Sequence, residues 1–270
     1  MTQDRENPSP LDPSIAHPAR VYDYILGATT HSAAAGAAGR AMREVWPSLP
    51  LSMRQNRAFM HRAVTHLAHA EGIRQYLDIG TGIPTRPSLH EVAQGIAPES
   101  RVVYVDNDPT VLTHARPLLR GGAQGGTSFL RADLRDPAGI IASPEVRATL
   151  DLSRPTALSV IAVVPFLKDA DDPYGTVRRL VDALPSGSFL ALTTATGDSA
   201  PRQMTAVAQE YARRGMTLRL RSYERTCAFF AGLDLLDPGV VLVHHWRPGD
   251  AQRDVPDHGV AMYGGVARKP

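Results

Sequence analysis

Short apolar runs alternate with amphipathic segments through most of the chain, and this pattern predicts a sheet covered by helices. Five apolar runs predict strands at residues 75–79, 101–105, 128–131, 156–163 and 188–194. Helical spacing of apolar residues predicts helices at residues 88–96, 109–119, 173–184 and 201–214. Repeated strand–helix units predict an α/β fold with a mostly parallel sheet and right-handed crossovers.

The two ends of the chain depart from this alternation. Residues 14–71 contain no strand pattern and predict helices at 16–26, 33–45 and 52–70, which we interpret as a helical lobe. Residues 1–13 are polar and proline-rich, which predicts a disordered arm. After a helix near 222–231, apolar runs at 240–246 and 260–267 predict a hairpin, so that the sheet ends with an antiparallel strand. The predicted organisation is therefore an arm (1–13), a helical lobe (14–71) and a sheet domain (72–270).

Composition narrows the class of protein. Of 270 residues, 43% are hydrophobic and 21% charged, which is enough apolar material for a buried core. The net charge of +2 gives no argument for nucleic-acid binding, and the longest apolar run is too short to span a bilayer. Cys227 is the single cysteine, so an intramolecular disulfide is impossible, and a reducing cytoplasm is the expected location.

The first predicted strand runs into a glycine turn that carries candidate binding chemistry. Its sequence, Tyr-Leu-Asp-Ile-Gly-Thr-Gly-Ile-Pro at 76–84, places Asp78 just before Gly80, Thr81 and Gly82. The glycines allow a sharp turn and the close approach of a ligand.

The identity of that ligand follows from the neighbours of the glycines. A dinucleotide fingerprint expects a third glycine where this chain has Thr85, and Asp78 would oppose a pyrophosphate. The same carboxylate favours an ammonium group, as in S-adenosylmethionine (SAM), which carries no phosphate. A nucleotide-dependent oxidoreductase is therefore the disfavoured alternative.

Acids also end the second and third predicted strands. Asp106, with Asn107 beside it, has the spacing of a ribose ligand, and Asp133, with Leu134, is predicted to contact the adenine. The alternative is that these aspartates only cap the helices that follow them.

Several motifs together resemble an actinobacterial family of S-adenosyl methyltransferases, formerly a domain of unknown function. They are Ala-Arg-Val-Tyr-Asp-Tyr-Ile-Leu-Gly at 19–27, Asn-Arg-Ala-Phe at 56–59, the glycine turn at 78–85, Val-Tyr-Val-Asp-Asn-Asp-Pro at 103–109, His-Trp-Arg-Pro at 245–248 and Tyr-Gly-Gly-Val at 263–266. The resemblance covers nearly all of the chain after the first dozen residues. It implies a Rossmann-like class I methyltransferase fold with a seven-stranded sheet and a helical N-terminal addition, and it implies no particular substrate.

Two departures from the family pattern bear on activity. The chain has Ala-Thr-Thr-His-Ser at 28–32 where relatives commonly have Gly-Lys-Asp-Asn-Phe, and Val-Pro-Phe at 164–166 where relatives often carry a histidine. We therefore carry two hypotheses: a SAM-dependent methyltransferase acting on a small molecule, or a non-catalytic protein that binds SAM or S-adenosylhomocysteine (SAH). No catalytic base is assigned from the sequence.

The helical lobe supplies the remaining candidates. Arg20, Tyr22 and Asn56 are polar residues within packed helical segments, and we predict that they contribute to the cofactor site. Arg20 would pair with the methionine carboxylate, because a planar guanidinium suits bidentate pairing; the alternative is an ion pair that ties the lobe to the sheet. His66 and His69 have metal-ligand spacing on a helix but no third ligand in view, so no metal is predicted.

Overall fold

A computed structural model describes residues 16–27, 32–83, 85–109, 111 and 124–270. The predicted arm at 1–13, most of the predicted helix at 109–119, and most of the segment at 28–32 that departs from the family pattern lie outside these residues.

Three helices form the N-terminal part. They are α1 (Pro18–Leu26), α2 (Ala33–Val45) and α3 (Leu49–His69). Gly27 ends α1 in the left-handed conformation, with φ 102°, as a glycine after a helix commonly does. The predicted lobe is helical, but its members pack differently: α3 contributes Phe59 to the core on one face of the sheet, whereas α1 and α2 pack against a later helix at Met204 and Tyr211.

The sheet contains eight strands within the described part of the chain. They are β1 (Gln75–Ile79), β2 (Arg101–Asp106), β3 (Gly126–Arg131), β4 (Ala157–Ile161), β5 (Phe189–Ala195), β6 (Asp234–Leu235), β7 (Val241–Leu242) and β8 (Met262–Arg268). The strand order is β3-β2-β1-β4-β5-β8-β6, and β7 also pairs with β8. The first five strands are parallel and β8 is antiparallel to β5, which confirms the predicted mostly parallel sheet with an antiparallel C-terminal strand.

Seven more helices follow α3. They are α4 (Leu89–Ile96), α5 (Pro137–Ala142), α6 (Pro144–Thr149), α7 (Pro173–Asp182), α8 (Pro201–Arg213), α9 (Tyr223–Cys227) and α10 (Asp250–Arg253), all counted within the described ranges. Short 3-10 helices lie at Val164–Phe166, Asp169–Asp171, Ala228–Phe230, Val243–His245 and Asp257–Gly259. Helices α5 and α6 were missed because six residues are too few to show a helical period.

The predicted strand at 240–246 was too long. Only Val241–Leu242 pairs with β8, and the chain then turns into the 3-10 helix Val243–His245. Arg62 of α3 donates to the carbonyl oxygens of Val243 (2.6 Å) and Trp246 (2.9 Å), so these carbonyls bond to a side chain instead of a neighbouring strand. The strand that pairs with β5 and continues the sheet is β8.

Alternating side chains of the strands divide the core between the two faces of the sheet. Leu77 and Ile79 pack into one cluster with Val103 and Val105, and Tyr76 packs into the cluster on the opposite face. Among the described helices, none is long and apolar enough to cross a bilayer. The core fixes the carboxyl ends of β1, β2, β3 and β4 at one edge, where the binding residues were predicted.

Candidate cofactor site

A cavity of about 280 Å³ lies at the carboxyl ends of the parallel strands, and α1 and α3 form its opposite wall. Open α/β sheets bind ligands at this edge. All predicted cofactor-binding residues except Arg20 line it: Tyr22, Asn56, Asp78, Gly80, Thr81, Gly82, Asp106, Asn107, Asp133 and Leu134.

The glycine turn has the conformation that the sequence predicted. Gly80 and Gly82 have φ values of 68° and 63°, a region that favours glycine. The amide N–H groups of Gly80 and Thr81 both donate to the carbonyl oxygen of Val105, at 2.7 and 3.2 Å. The turn is thereby fastened to β2.

The two glycines differ in their surroundings, and this difference predicts different effects of substitution. A Cβ on Gly80 would lie 2.3 Å from Cγ2 of Val163, whereas a Cβ on Gly82 would meet no atom within 4 Å. We expect Gly80→Ala to lower the free energy of unfolding by about 2–5 kcal/mol, through backbone strain and overpacking. Gly82→Ala carries only the strain, about 1–2 kcal/mol. Urea unfolding of both variants checks this, and equal losses would contradict the geometry.

Asp78 is a buried acid in the cavity wall. Burial raises the pKa of its carboxyl to about 7, and the nearby charge of Asp106 acts in the same direction. An ionised carboxylate in this position is costly without a cation. The site therefore favours a ligand with a positive group near Asp78.

Asp106 connects the turn to the end of β2. Its Oδ2 accepts a hydrogen bond from the Gly82 amide at 2.8 Å, and its Oδ1 accepts one from the Asp108 amide at 2.9 Å. Burial raises the pKa of this carboxyl to about 6. Each oxygen retains a lone pair that could accept from a ligand hydroxyl.

Asp133 is held by its neighbours. Arg135 donates from Nε to Oδ1 (2.9 Å) and from Nη2 to Oδ2 (2.6 Å), and Asn107 Nδ2 donates to Oδ2 (3.3 Å). Burial opposes ionisation, but the hydrogen bonds from Arg135 prevail and lower the pKa of Asp133. The helix that follows is capped by Asp136, which accepts from the Gly139 amide at 3.0 Å. Capping therefore does not explain Asp133.

Arg20 is the exception among the predicted residues. Its Nε and Nη2 donate to the two carboxylate oxygens of Asp108, at 3.1 and 3.2 Å, and both side chains are buried. Nδ1 of His17 lies 3.4 Å from the same carboxylate. The bidentate partner of Arg20 in this structure is thus an aspartate of this chain, whereas the sequence predicted a pairing with the methionine carboxylate, which stays a prediction. The alternative interpretation, an ion pair between lobe and sheet, describes the contact.

Tyr22 and Asn56 lie in the helical wall and contact each other. The Tyr22 hydroxyl donates to the Met53 carbonyl oxygen at 3.1 Å and accepts from Asn56 Nδ2 at 3.1 Å. Arg57, beside Asn56, donates to the carbonyl oxygens of Thr85 and Pro87.

The structure adds lining residues that the sequence did not predict as binding residues. They include Asp23, Met60, Arg135, Ala162, Phe166 and Leu167. Asp23 could have been found, because a carboxylate among the apolar residues of α1 is unusual. Ala162 gave no sequence signal: it adopts φ 57°, and its amide donates to Thr193 Oγ1 at 2.8 Å. A left-handed non-glycine residue beside a cavity is typical of functional sites.

Two histidines of α3 have partners within the chain. His66 pairs with Glu71 at 3.2 Å, and His61 contacts the Pro87 carbonyl at 2.9 Å. Within the described ranges, one group has ligand atoms close enough for a metal: Nε2 of His244 and Nε2 of His245 both contact Asp257 Oδ1, at 3.0 and 2.6 Å. Buried Nδ1 of His244 has no hydrogen-bond partner there, whereas a metal-bound histidine usually donates this N–H. The geometry fits a hydrogen-bonded cluster.

Solved structures share this fold over nearly the whole chain. A DUF574 family protein from Streptomyces avermitilis is 55% identical, with a TM-score of 0.94 over 96% of this chain and 99% of that one. A candidate methyltransferase from Thermobifida fusca is 35% identical, with a TM-score of 0.87 over 98% and 99% of the two chains. The plantazolicin methyltransferase BpumL, solved with SAH, is 10% identical with a TM-score of 0.52 over 93% and 95%, which shows a shared fold alone.

The match among the sequence comparisons is also to a methyltransferase family. No curated protein sequence matches the chain. The family model described as S-adenosyl methyltransferase matches residues 4–270. Since that match spans nearly the full length, the chain belongs to the S-adenosyl methyltransferase family, a Rossmann-like family whose cofactor is SAM.

Proposed function

We propose that this protein transfers the methyl group of SAM to a small-molecule acceptor. The observation that carries the proposal is one cavity in which acids from three successive strand ends meet an open glycine turn: Asp78, Asp106 and Asp133. SAM presents an ammonium, a ribose and an adenine in the same order, and no phosphate that these acids would repel. We place the reaction in the cytoplasm, which suits a chain with one cysteine.

The strand-end residues hold the nucleoside in this proposal. Asp78 pairs with the ammonium, Gly80, Thr81 and Gly82 lie along the methionine portion, and Asp106 with Asn107 accepts from the ribose hydroxyls. Asp133 and Leu134 border the adenine. The fit is supported by the open space at Gly82, where an added Cβ would touch no protein atom.

The helical wall completes the part of the proposed site that would hold the methionine portion of SAM. Arg57 lines the cavity, whereas Arg20 is paired outside its lining, so Arg57 is the cation that we assign to the methionine carboxylate. Its guanidinium is oriented by the Thr85 and Pro87 carbonyl oxygens. Tyr22 and Asn56 flank it on the same wall.

When bound, SAM would supply a methyl group on a sulfonium sulfur: an acceptor attacking the methyl carbon in line with the C–S bond would gain the methyl group, and SAH would leave with the electron pair of that bond. The residues of the chain contribute chiefly by position: the turn and the acids hold the donor, and the helical wall with Phe166 and Leu167 excludes water. Methyl transfer requires the acceptor to bind in the same cavity as SAM. Titration with SAH tests the binding of the cofactor.

The affinity for SAH should depend on pH through Asp78. In the free protein the pKa of Asp78 is about 7, and an ammonium beside it would lower this value. Binding then requires loss of a proton, so affinity is full above about pH 7 and falls about tenfold per pH unit below it, until the pKa of the complex is reached. Protonation of Asp106, with a pKa of about 6, adds to the loss at lower pH.

Calorimetric titration with SAH from about pH 7.5 to about pH 5.5 measures this slope. 5′-Methylthioadenosine is the matched ligand control, because it lacks the ammonium and should not show the component due to Asp78. An Asp78→Asn variant should bind SAH weakly at all pH values in this range. Tight binding of SAH by this variant would remove Asp78 from the site, and failure of the wild-type protein to bind either SAH or SAM would overturn the proposed function.

A further inference from the structure

The helical wall of the cavity carries a buried hydrogen-bond acceptor that the cofactor contacts above leave unused. Asn56 of α3 lines the cavity and is 1% exposed. Its Oδ1 has no hydrogen-bond partner among the described residues. A buried acceptor without a partner favours a ligand that brings a donor.

The amide of Asn56 has a fixed orientation. The single proton of the Tyr22 hydroxyl is donated to the Met53 carbonyl oxygen at 3.1 Å, so the group of Asn56 that faces this hydroxyl must be a donor. That donor is Nδ2, which lies 3.1 Å from the hydroxyl oxygen. The other arm of the amide is then Oδ1, an acceptor. Tyr22 therefore decides that Asn56 offers a ligand an acceptor and not a donor.

Thr85 does not impose the same requirement. Its Oγ1 is a second buried atom of the cavity lining that has no hydrogen-bond partner within the described ranges. A hydroxyl can both donate and accept, so it satisfies either kind of ligand group. The requirement for a donor comes from Asn56.

Another part of the cavity lining is apolar. Val163, Phe166 and Leu167 follow β4, and Leu26 and Met60 extend the apolar surface into the helical wall. A ligand that fits both parts has an apolar body and a hydrogen-bond donor.

Charge decides which kind of donor. Asp23 and Arg57 of the helical wall lie close enough for their opposite charges to interact, so these charges offset each other. The strand-end acids are assigned to the cofactor in the proposed complex. An amide oxygen cannot balance a charge, and a buried charge without a counter-charge is costly. The site at Asn56 therefore favours a neutral donor over an ammonium.

We propose that the methyl acceptor is an uncharged small molecule with an apolar body, anchored by a hydroxyl or N–H group that donates to Oδ1 of Asn56. This inference rests on the proposed function. Asn56 accepts a hydrogen bond and takes no proton, so it is a specificity-determining residue and not a base. Tyr22 acts through Asn56 as a positioning residue.

Four probes that share one aromatic ring test this requirement on SAH-saturated protein: benzyl alcohol, benzyl methyl ether, benzylamine and benzoate. Ligand-observed NMR titration measures their dissociation constants. We expect the alcohol to bind about 3- to 10-fold more tightly than the ether, because one neutral hydrogen bond is gained. The ammonium of benzylamine and the carboxylate of benzoate should bind more weakly than the alcohol, because no free counter-charge offsets their burial.

Two variants and a control locate the effect. Asn56→Leu removes the acceptor, so the alcohol and the ether should then bind within about twofold of each other. Tyr22→Phe removes the hydroxyl that fixes the amide and should narrow the same difference. The matched control is Gln55→Leu, which should keep the wild-type preference. Gln55 is also buried on α3, with an amide oxygen that has no partner in the described part of the chain, but it does not line the cavity.

Each variant must first be shown to be folded and to bind SAH within about threefold of the wild-type affinity. If Asn56→Leu does not fold, Tyr22→Phe decides. Weaker SAH binding by Asn56→Leu alone would assign Asn56 to the cofactor and overturn the inference. It is also overturned if no probe binds, if the alcohol and the ether bind equally to the wild type, if a charged probe binds best, or if the folded variant keeps the preference. If wild-type protein binds no SAH, the proposed function itself has failed.

Discussion

An Asp106→Ala variant will lose measurable binding of both SAM and SAH. The wild-type carboxylate accepts from the amides of Gly82 and Asp108, at 2.8 and 2.9 Å, and in the proposed complex it also accepts from the ribose hydroxyls. A hydrogen bond to a charged group contributes about 1.5–3 kcal/mol. Loss of two such bonds to the ribose therefore weakens binding about 100- to 10,000-fold.

The control for this variant is Asp136→Ala. Asp136 caps α5 through the Gly139 amide, and it does not line the cavity. Its replacement should cost about 1 kcal/mol of stability and leave SAH affinity unchanged. Calorimetric titration of both variants, with NAD as a third ligand, separates a local effect from general destabilisation. SAH binding by Asp106→Ala within about threefold of wild type would remove Asp106 from the site, and binding of NAD in place of SAM would revive the oxidoreductase alternative.

An Arg20→Ala variant will be strongly destabilised, although Arg20 does not line the cavity. Its removal leaves Asp108, which is 0% exposed, without its bidentate partner, and breaking a buried ion pair from one side costs about 3–5 kcal/mol. The matched control is Arg253→Ala, which breaks a 3.2 Å pair with Asp250 on the surface. That loss should be at most about 1 kcal/mol. Urea unfolding measures the free energy of unfolding of both variants. Equal losses would show that the buried pair contributes no more stability than the surface pair.

The Arg20 pair also has a consequence for the cofactor. Asp108 joins α1 to the end of β2, and its amide donates to the same carboxylate that we assign to the ribose, Asp106. Loosening α1 should therefore speed the dissociation of SAH as well as lower stability. Stopped-flow dissociation of SAH from Arg20→Lys, which keeps the charge but loses the planar fork, measures this effect in a milder variant.

The sequence by itself determined the five parallel strands, their arrangement and the residues at their carboxyl ends. These are local properties: apolar periodicity sets each strand, and the alternation with helices brings successive carboxyl ends to one edge. Asp78, Gly80, Gly82, Asp106 and Asp133 could therefore be placed together without coordinates. The pattern also predicted the final antiparallel strand.

Only the tertiary structure decided how the distant segments meet. The partner of Arg20 is 88 residues away in the chain, and no spacing rule selects Asp108 over a ligand carboxylate. The insertion of β8 between β5 and β6 and the turn at Val243 likewise depend on long-range packing, including the hydrogen bonds from Arg62. Asp23 is one turn from Arg20 on the same helix, yet Asp23 lines the cavity and Arg20 pairs with Asp108 outside the lining. The docking of α1 against the sheet makes that difference, because a helical pattern shows which residues are buried but does not show what buries them.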